Sequence, residues 1–380
     1  MKFLHISDLH IGKRLNECSM IEDQIHILNQ IFEIAKEQQA DAVLIAGDIY
    51  DKPVPSAEAV KVFDQFLTKL ADCKIKVFAV SGNHDSPERI AFGAQLMSGR
   101  GVYVSPVYDG SAVKITMKDA YGELEIHLLP FLKPAIMRHV LENEAGEQEL
   151  PESYHDAVKT AVGRMEIDPD KRNILVAHQF VTGAGRCDSE DVSVGGIDNV
   201  DAEVFDAFDY VALGHIHSPQ FVKRETVRYC GTPLKYSFSE ASQEKAVVVA
   251  ECREKGEVVL HTVPLKPLHD MRKIRGTYLE VTAKSFYEDM DTDDYIQITL
   301  TDEDDIPDGL QKLRIIYPNL MQLLYDNSRT RQNRVIAMAE AVEQKSELEL
   351  FEEFYELQNN QPMSQEQSAF VRQLLEESRF

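Results

Sequence analysis

The stretch VLIAGDIYD, residues 43–51, constrains the fold of this chain more than any other part of the sequence. Its apolar run, VLIA, is too short for a helix and is typical of a strand buried on both faces. Gly47 permits a tight turn, so that Asp48 emerges at the carboxyl end of the strand. Because functional residues of α/β folds lie at that edge of the sheet, the pattern predicts an α/β fold with Asp48 in its site.

The same arrangement recurs four more times. Short apolar runs precede residues that offer oxygen or imidazole nitrogen, at Ser7-Asp8-Leu9-His10, Gly82-Asn83-His84-Asp85, His178 and Gly214-His215-Ile216-His217. A single motif of this kind is more often a capped strand end or a buried histidine with satisfied hydrogen bonds. Packing does not require Asp, Asn and His at the same place on five strands, so the pattern predicts that these strands deliver metal ligands to one edge.

Carboxylate, imidazole and amide ligands without thiolates suit Mn²⁺, Fe²⁺ or Zn²⁺. Two adjacent ions need a bridging ligand, and the Asp48 carboxylate can use both of its oxygens. The other candidates divide into Asp8, His10 and His217 for one ion and Asn83, His178 and His215 for the other. Two such metal ions clamp a phosphoryl group and lower the pKa of bound water from 15.7 to roughly 7, so we expect phosphate ester hydrolysis.

His84 and Asp85 are the expected catalytic residues. His84 would steady the phosphate or protonate the leaving oxygen, while Asp85 would hold the other ring nitrogen. Taken alone, His84 is equally consistent with helix capping or packing. The remaining histidines have no such setting and are expected to be structural or surface residues: His5, His26, His127, His139, His155, His261 and His269.

Helical periodicity predicts helices over residues 21–38 and 57–71, the second with Ser56 as its N-cap. Its apolar face covers the core or, alternatively, forms part of a homodimer contact. Short alternating runs between residues 102 and 132 predict a second sheet. We expect a site-bearing domain over residues 1–267 and a small α+β domain over 268–335. Its predicted elements are strands at Tyr278–Val281, Tyr295–Leu300 and Leu320–Leu324 and a helix at Gly309–Ile316.

Two capping-box patterns, Ser346 with Glu349 and Ser364 with Gln367, predict helices within residues 340–380. Each helix carries one apolar stripe on an acidic surface. Isolated helices of this length are not stable by themselves, so the stripes either fold back on the chain or dock on another protein. We favour docking.

Composition narrows the remaining possibilities. The five cysteines lack a CxxC spacing, which favours reduced thiols over a disulfide framework or a zinc site. The sequence has no long apolar run or leader-like start, so we expect a cytoplasmic protein with no membrane association. The net charge of −24 weakens a nucleic-acid function without removing it, because screening over about 8 Å makes local charge decisive. A partner could supply the basic surface.

The motifs DLH, GD, GNHD, His178 and GHIH, in this order, resemble the calcineurin-like metallophosphoesterase superfamily over about residues 1–265. More narrowly, SDLHIGKRL, GDIYDKPVPS and YCGTPLKYSFSE resemble the SbcD family of bacterial nuclease subunits. The resemblance implies a four-layer sandwich of two mixed β-sheets flanked by helices. It also implies that 268–335 is a DNA-capping domain and that 340–380 is a helical tail that docks on the base of an SbcC-type coiled coil.

The implied activity is two-metal hydrolysis of DNA in repair, recombination and replication, as a 3′–5′ double-strand exonuclease and a single-strand endonuclease that also opens hairpins. Mn²⁺ is the implied cofactor, with Mg²⁺, Fe²⁺ or Zn²⁺ as substitutes. The implied assembly is a nucleoid-associated heterotetramer of two nuclease and two SbcC-type ATPase subunits, built on a nuclease homodimer. Some relatives carry a catalytic histidine at the position of Asp51, so no role is carried over to this aspartate.

Two other functions fit the ligand pattern. A phosphoesterase for small or protein substrates would need neither the extra domain nor the apolar tail, and an inactive scaffold would need no complete ligand set. Candidate DNA contacts rest on charge alone, because phosphate contacts need no fixed motif. They are Arg14, Lys52, Lys133, Arg272, Lys273, Arg275, Arg329, Arg331 and Arg334.

Overall fold

The computed structural model describes residues 1–16, 18–144, 150–185, 187–190, 199–328 and 330, and also 351, 355, 363–364, 367–368 and 370–371. The strands in these residues are β1 (Lys2–Ile6), β2 (Arg14–Leu15), β3 (Cys18–Ser19), β4 (Ala42–Ala46), β5 (Lys76–Val80), β6 (Val102–Val104), β7 (Val113–Asp119), β8 (Gly122–Leu129), β9 (Arg172–His178), β10 (Phe180–Val181), β11 (Asn199–Val200), β12 (Tyr210–Gly214), β13 (Gln220–Val222), β14 (Arg224–Tyr229), β15 (Ala246–Cys252), β16 (Val258–Pro264), β17 (Met271–Gly276), β18 (Tyr295–Leu300) and β19 (Leu320–Tyr325).

The α-helices in the same residues are α1 (Ile21–Glu37), α2 (Ala57–Asp72), α3 (Pro87–Ile90), α4 (Ala94–Ser98), α5 (Pro134–Glu142), α6 (Tyr154–Gly163), α7 (Tyr278–Val281), α8 (Lys284–Tyr287) and α9 (Gly309–Leu313). Short 3₁₀ turns lie at Ala202–Phe205 and Phe238–Glu240. No helix in the described residues is long and apolar enough to cross a membrane.

Two six-stranded mixed sheets form the main body of the fold. The first has the order β16-β15-β1-β4-β5-β6, and β1, β4, β5 and β6 run parallel. The second has the order β13-β14-β12-β9-β8-β7, and β14, β12, β9 and β8 run parallel. In both sheets the antiparallel strands lie outside the parallel group.

Alternating side chains of the parallel strands build three apolar layers. In β4, Leu44 packs in the core between the two sheets, whereas Val43 and Ile45 pack in a second core with side chains of α1 and α2. A third core joins the outer face of the second sheet to α5 and α6. Strands buried on both faces read as continuous apolar runs, which explains the sequence of VLIA. The predicted four-layer sandwich of two mixed sheets flanked by helices is confirmed.

Helix α2 follows its predicted bounds closely. The Ser56 hydroxyl caps it by accepting a hydrogen bond from the Ala59 N–H (3.1 Å). Phe63 and Phe66 are buried in the core, as the main interpretation of this face requires, while Val60 is 44% exposed.

The chain divides into two compact units. The first comprises residues 1–273, 291–297 and 319–322, and the second comprises 274–290, 298–318 and the described residues from 323 onward. The predicted strands at Tyr295–Leu300 and Leu320–Leu324 are present as β18 and β19, and α9 occupies most of the predicted helix. The boundaries 1–267, 268–335 and 340–380 stay a prediction.

The predicted strand at Tyr278–Val281 is wrong, because this segment is the helix α7. Its start is a capping box: the Thr277 hydroxyl accepts from the Glu280 N–H (3.3 Å), and the Glu280 carboxylate accepts from the Thr277 N–H (2.7 Å). The apolar alternation over four residues was too short to outweigh this local signal.

Of the two tail capping boxes, the one at Ser364 and Gln367 is present, since each side chain accepts a backbone N–H of the other residue. The box at Ser346 and Glu349 and most of the 340–380 segment lie outside the described residues. All five cysteines are free thiols, as expected.

Candidate metal centre

The five motif-bearing strands end beside one another, but they belong to two sheets. β1, β4 and β5 come from the first sheet and β9 and β12 from the second. The edge predicted as one is therefore formed by adjoining edges of two sheets. Within the first sheet, the loops after β1 and β4 hold one another: the Asp8 N–H donates to the Gly47 carbonyl (3.0 Å) and the His10 N–H to the Asp48 carbonyl (3.0 Å).

Four of the predicted ligands have left-handed backbone conformations. The φ angles are +53° at Asp8, +44° at His10, +48° at Asp48 and +101° at His215. Such conformations cost about 1–3 kcal/mol each in residues other than glycine, and they persist only where the surroundings over-determine them. The backbone is therefore bent specifically where these side chains must converge.

Two glycines make the convergence possible. Gly47 has a φ of +87°, which supplies the turn expected after β4. At Gly214 the two sheets approach so closely that a Cβ atom would clash with the Ala46 carbonyl oxygen and lie 2.8 Å from His178 Nδ1. A side chain at residue 214 would push the second sheet away from the first.

Asn83, His178 and His215 form one group of donors. Asn83 Oδ1 lies 2.9 Å from both His178 Nε2 and His215 Nδ1, and His178 Nε2 lies 3.4 Å from Asp48 Oδ2. The opposite nitrogen of His178 donates to the Ala46 carbonyl (2.8 Å), which can only accept. This bond fixes the ring so that Nε2 faces the group.

Asp8, His10 and His217 form the second group, and their ligand atoms lie within 4.8 Å of one another. His10 Nε2 is 3.2 Å from His217 Nε2 and 3.8 Å from Asp48 Oδ2. The Asp8 carboxylate is oriented by the His215 N–H, which donates to it at 3.0 Å. Asp48 thus lies between the two groups, where the sequence predicted a bridging carboxylate.

The donor set fits two divalent ions. Nitrogen and oxygen ligands bind an ion such as Zn²⁺ at about 2.0–2.1 Å, so neighbouring donors on one ion lie about 3–3.4 Å apart. The closest donor pairs within each group are 2.9–3.2 Å apart. All seven predicted ligands except Asn83 are buried, so little water competes for the donors.

The electrostatics of the cluster suit cation binding. Burial opposes ionisation of Asp48, but the His178 ring beside it holds the pKa of Asp48 well below its usual range. Burial lowers the pKa of His178, yet the Asp48 carboxylate outweighs it and raises that pKa to about 9. Without an ion His178 therefore carries a proton in the field of Asp48, and an ion that binds there would displace it. Burial raises the pKa of Asp8 to about 7 and lowers the pKa of His10 to about 3. Burial likewise lowers the pKa of His217, so both of its group's imidazoles are neutral, as metal ligands must be.

His84 lies at the open side of the cluster. Its side chain is 24% exposed, its Nε2 is 4.0 Å from Asp48 Oδ2, and its Nδ1 is 3.3 Å from the Asp51 carbonyl oxygen. The predicted role of Asp85 in holding the ring is corrected, because its carboxylate is occupied by backbone groups. It accepts the N–H groups of Ile49 (3.0 Å), Tyr50 (2.9 Å) and Gly82 (2.9 Å). Asp85 therefore joins the loop after β4 to the loop after β5.

Sequence reasoning missed the polar residues behind the ligands. Gln24 Nε2 donates to the His10 carbonyl (2.7 Å), and Ser189 Oγ lies 2.7 Å from His217 Nδ1. The Asp51 carboxylate pairs with Lys13 (2.9 Å). The positions of these residues depend on contacts between separate segments, so they leave no local pattern. The one available signal was the motif YCGTPLKYSFSE, which ends at Glu240, a hydrogen-bond partner of Ser189.

The candidate DNA contacts differ in their surroundings. Arg272 pairs with Asp294 and Arg275 with Asp326, so these two charges are partly neutralised. Exposed candidates are Arg14, Lys52, Lys133 and Lys273. Arg329, Arg331 and Arg334 lie outside the described residues.

Comparison with known proteins identifies the family. Residues 1–219 match the calcineurin-like phosphoesterase family, and residues 267–359 match the family described as type 5 capsule protein repressor C-terminal domain, SbcD_C. Among solved structures, a dimetal phosphatase from Danio rerio covers 70% of this chain and 98% of its own, with 13% identity and a TM-score of 0.43. The match to a Thermus thermophilus protein, TT1561, covers 69% of this chain and 98% of that protein, with 14% identity and a TM-score of 0.38.

The SbcD subunit of the SbcCD nuclease of Staphylococcus epidermidis is 31% identical over 383 residues, which span 99% of this chain and 98% of the relative. The match runs through the phosphoesterase part and the C-terminal part alike. The chain therefore belongs to the SbcD family of nucleases, whose N-terminal part is a calcineurin-like phosphoesterase domain.

Proposed function

We propose that this chain is the nuclease subunit of an SbcCD-type complex and hydrolyses DNA phosphodiesters with two Mn²⁺ ions. The observation that carries the proposal is the convergence of six donors from two sheets into two groups of three, with Asp48, the seventh donor, between them. Asp8, His10 and His217 would hold one ion and Asn83, His178 and His215 the other, and Asp48, which lies between the two groups, would serve both. Mg²⁺, Fe²⁺ and Zn²⁺ can substitute, because they also bind oxygen and nitrogen donors of these kinds.

The two ions, when bound, supply the Lewis acidity that activates water and offsets phosphate charge. The protein residues supply orientation and a proton. The Asp51 carbonyl accepts the Nδ1–H of His84, which turns His84 Nε2 toward the centre. In its protonated form His84 then donates from Nε2 to the leaving oxygen of the phosphodiester. Asp85 supports this geometry indirectly, because it fixes the two loops that carry Asp48 and His84.

The name of the Staphylococcus epidermidis relative places it in an SbcCD nuclease, which supports DNA as the substrate and an SbcC-type coiled-coil ATPase as the partner. The activities we propose are 3′–5′ exonuclease, single-strand endonuclease, and hairpin and DNA-end cleavage, with access gated by the ATPase. Residues 268–335 cap the DNA, and 340–380 dock on the coiled-coil base. Phe370 (62% exposed) is an exposed apolar side chain of the tail. Such a complex acts on the chromosome, in the nucleoid region of the cytoplasm.

We also propose a nuclease homodimer formed through α2 and α4, within a heterotetramer. Leu96 of α4 and Phe92 before it are each 85% exposed, and Val60 of α2 is 44% exposed. Leu67 and Leu96 line the same surface cavity of about 280 Å³. Packing of α2 against the core does not cover these side chains, and a second copy of the chain would bury them.

Cleavage of end-labelled duplex and hairpin DNA by the purified chain with Mn²⁺ tests the proposal, with the Asp48→Ala variant and a small chromogenic phosphodiester alongside. We expect both DNAs to be cleaved by the wild type and neither by the variant. Hydrolysis of the small diester without DNA cleavage, even after the ATPase is added, would show that the metal centre serves another substrate.

A further inference from the structure

A buried ion pair lies directly behind the metal centre. Glu240 has no exposed surface and Lys245 is 5% exposed, and Lys245 Nζ lies 2.6 Å from Glu240 Oε2. Desolvation cancels most of the stability that a buried ion pair provides, so stability is a weak reason for its presence. The pair adjoins a ligand instead: Lys245 Nζ also donates to the His217 carbonyl (3.0 Å).

One hydroxyl connects this pair to the His217 ring. Ser189 Oγ lies 2.6 Å from Glu240 Oε1 and 2.7 Å from His217 Nδ1. An ionised carboxylate can only accept, so the Ser189 hydroxyl proton must point to Glu240. The Oγ lone pair is then left to accept the Nδ1–H of His217. This order of donors places the ring lone pair on Nε2, the nitrogen 3.2 Å from His10 Nε2.

The main chain of His217 is held from the same side. Its N–H donates to Glu190 Oε1 (2.7 Å), and its carbonyl accepts from Lys245. Ring orientation, tautomer and backbone are therefore all set by this group of polar residues. Removing the Glu240 charge would leave Ser189 free to donate to Nδ1 instead, which would move the ring proton to Nε2.

We propose that Ser189, Glu240 and Lys245 are positioning residues that present His217 Nε2 to one of the two ions. The inference rests on the proposed function, because it assumes an ion held by Asp8, His10 and His217. It also gives a role to Glu240, the last residue of the motif YCGTPLKYSFSE.

The test is calorimetric titration of the metal-free full-length chain with Mn²⁺. Glu240→Gln should lower the affinity for one of the two ions by about 10–100-fold, which is the usual effect of removing a residue that orients a ligand. The affinity for the other ion should not change. The matched control is Glu125→Gln. Glu125 is also buried (2% exposed) and also pairs with a lysine, Lys171 (2.9 Å). It lies away from the metal centre, because it faces the amino-terminal end of β9, whereas the ligand His178 is at the carboxyl end of that strand. Both ions should bind this control as they bind the wild type.

A second pair of variants keeps the inference testable if Glu240→Gln does not fold. Ser189 is half-buried, so Ser189→Ala should fold. This variant should lower the affinity for the same ion that Glu240→Gln affects. Ser189→Thr retains the hydroxyl and should therefore keep the wild-type affinity. Unchanged binding in Ser189→Ala, equal weakening of both ions, or no rescue by threonine would overturn the inference. Failure of the wild type to bind two ions would instead overturn the proposed function.

Discussion

Replacing the Asp48 carboxylate with the isosteric amide, Asp48→Asn, should remove both ions without disturbing the fold. Asp48 is buried between the two donor groups, 3.4 Å from His178 Nε2 and 3.8 Å from His10 Nε2. Asparagine retains an oxygen that can accept the His84 N–H now held by Asp48 Oδ1 (2.9 Å). The substitution therefore removes charge and bridging capacity but little volume.

The size of the effect follows from these distances. At 3.4 Å, the distance from Asp48 Oδ2 to His178 Nε2, a unit positive charge is stabilised by roughly 5 kcal/mol at an effective dielectric of about 20. A divalent ion bound closer gains at least as much, so we expect Mn²⁺ affinity to fall by about 1,000-fold or more. At a Mn²⁺ concentration 1,000 times the wild-type Kd, one site stabilises the wild type by about 4 kcal/mol. The variant should gain less than about 0.5 kcal/mol under the same conditions.

Thermal unfolding with Mn²⁺ and with chelator measures this difference. The two sites together contribute about 8 kcal/mol to the wild type. The unfolding entropy of a 380-residue chain is about 0.8 kcal/mol/K, so the wild type should gain roughly 10 °C in Tm from the ions and Asp48→Asn about 1 °C. Asp23→Asn is the matched control, because Asp23 is also a buried aspartate beside a histidine, with Oδ1 3.2 Å from His269 Nδ1. It should retain the full Mn²⁺ shift. If Asp48→Asn still binds two Mn²⁺ ions within tenfold of the wild-type affinity, the bridging assignment is wrong.

Three further predictions test other parts of the molecule. His84→Gln should bind Mn²⁺ and DNA normally but cleave at least about 100-fold more slowly in single-turnover assays; cleavage within tenfold of wild type would remove the proton-donor role. Deletion of residues 341–380 should abolish association with the ATPase and preserve Mn²⁺-dependent cleavage of short DNA; a truncated chain that still co-purifies with the ATPase would refute the docking role. In chelator, the free energy of unfolding should fall as the pH drops from 6.5 toward 3, because burial lowers the pKa of His5 to about 3 and only the unfolded chain takes up the proton. His5→Gln should remove about 1.4 kcal/mol per pH unit of this slope in urea titrations, and an unchanged slope would contradict the argument.

The sequence was most informative where structure is local. VLIA followed by Gly47 and Asp48 predicted the strand, the turn and the direction of the carboxylate, because each depends only on neighbouring residues. Repetition of that pattern predicted which side chains meet. The repetition did not show that these side chains come from two sheets. Which sheet a strand joins depends on its pairing with other strands, and β1, for example, pairs with β4 and with β15, which is more than 200 residues away.

Some side-chain contacts of the site leave no short pattern in the sequence. Asp85 is adjacent to His84 in sequence, yet its carboxylate turns toward three backbone N–H groups, which offer more hydrogen bonds than one ring nitrogen. Ser189 and Glu240 are 51 residues apart, so their hydrogen bond has no signature in either segment.

The origin of the ligands in two sheets has a consequence for how the centre is stabilised. In the proposed assignment the first ion takes Asp8 and His10 from the first sheet and His217 from the second. The other ion takes Asn83 from the first sheet and two histidines from the second. Each ion then links the two sheets, whose separation is set by the apolar core between them and by the close contact at Gly214. Ion affinity should therefore depend on packing between the sheets as well as on the donors, because a shift of one sheet would separate donors that the structure holds 2.9–3.2 Å apart.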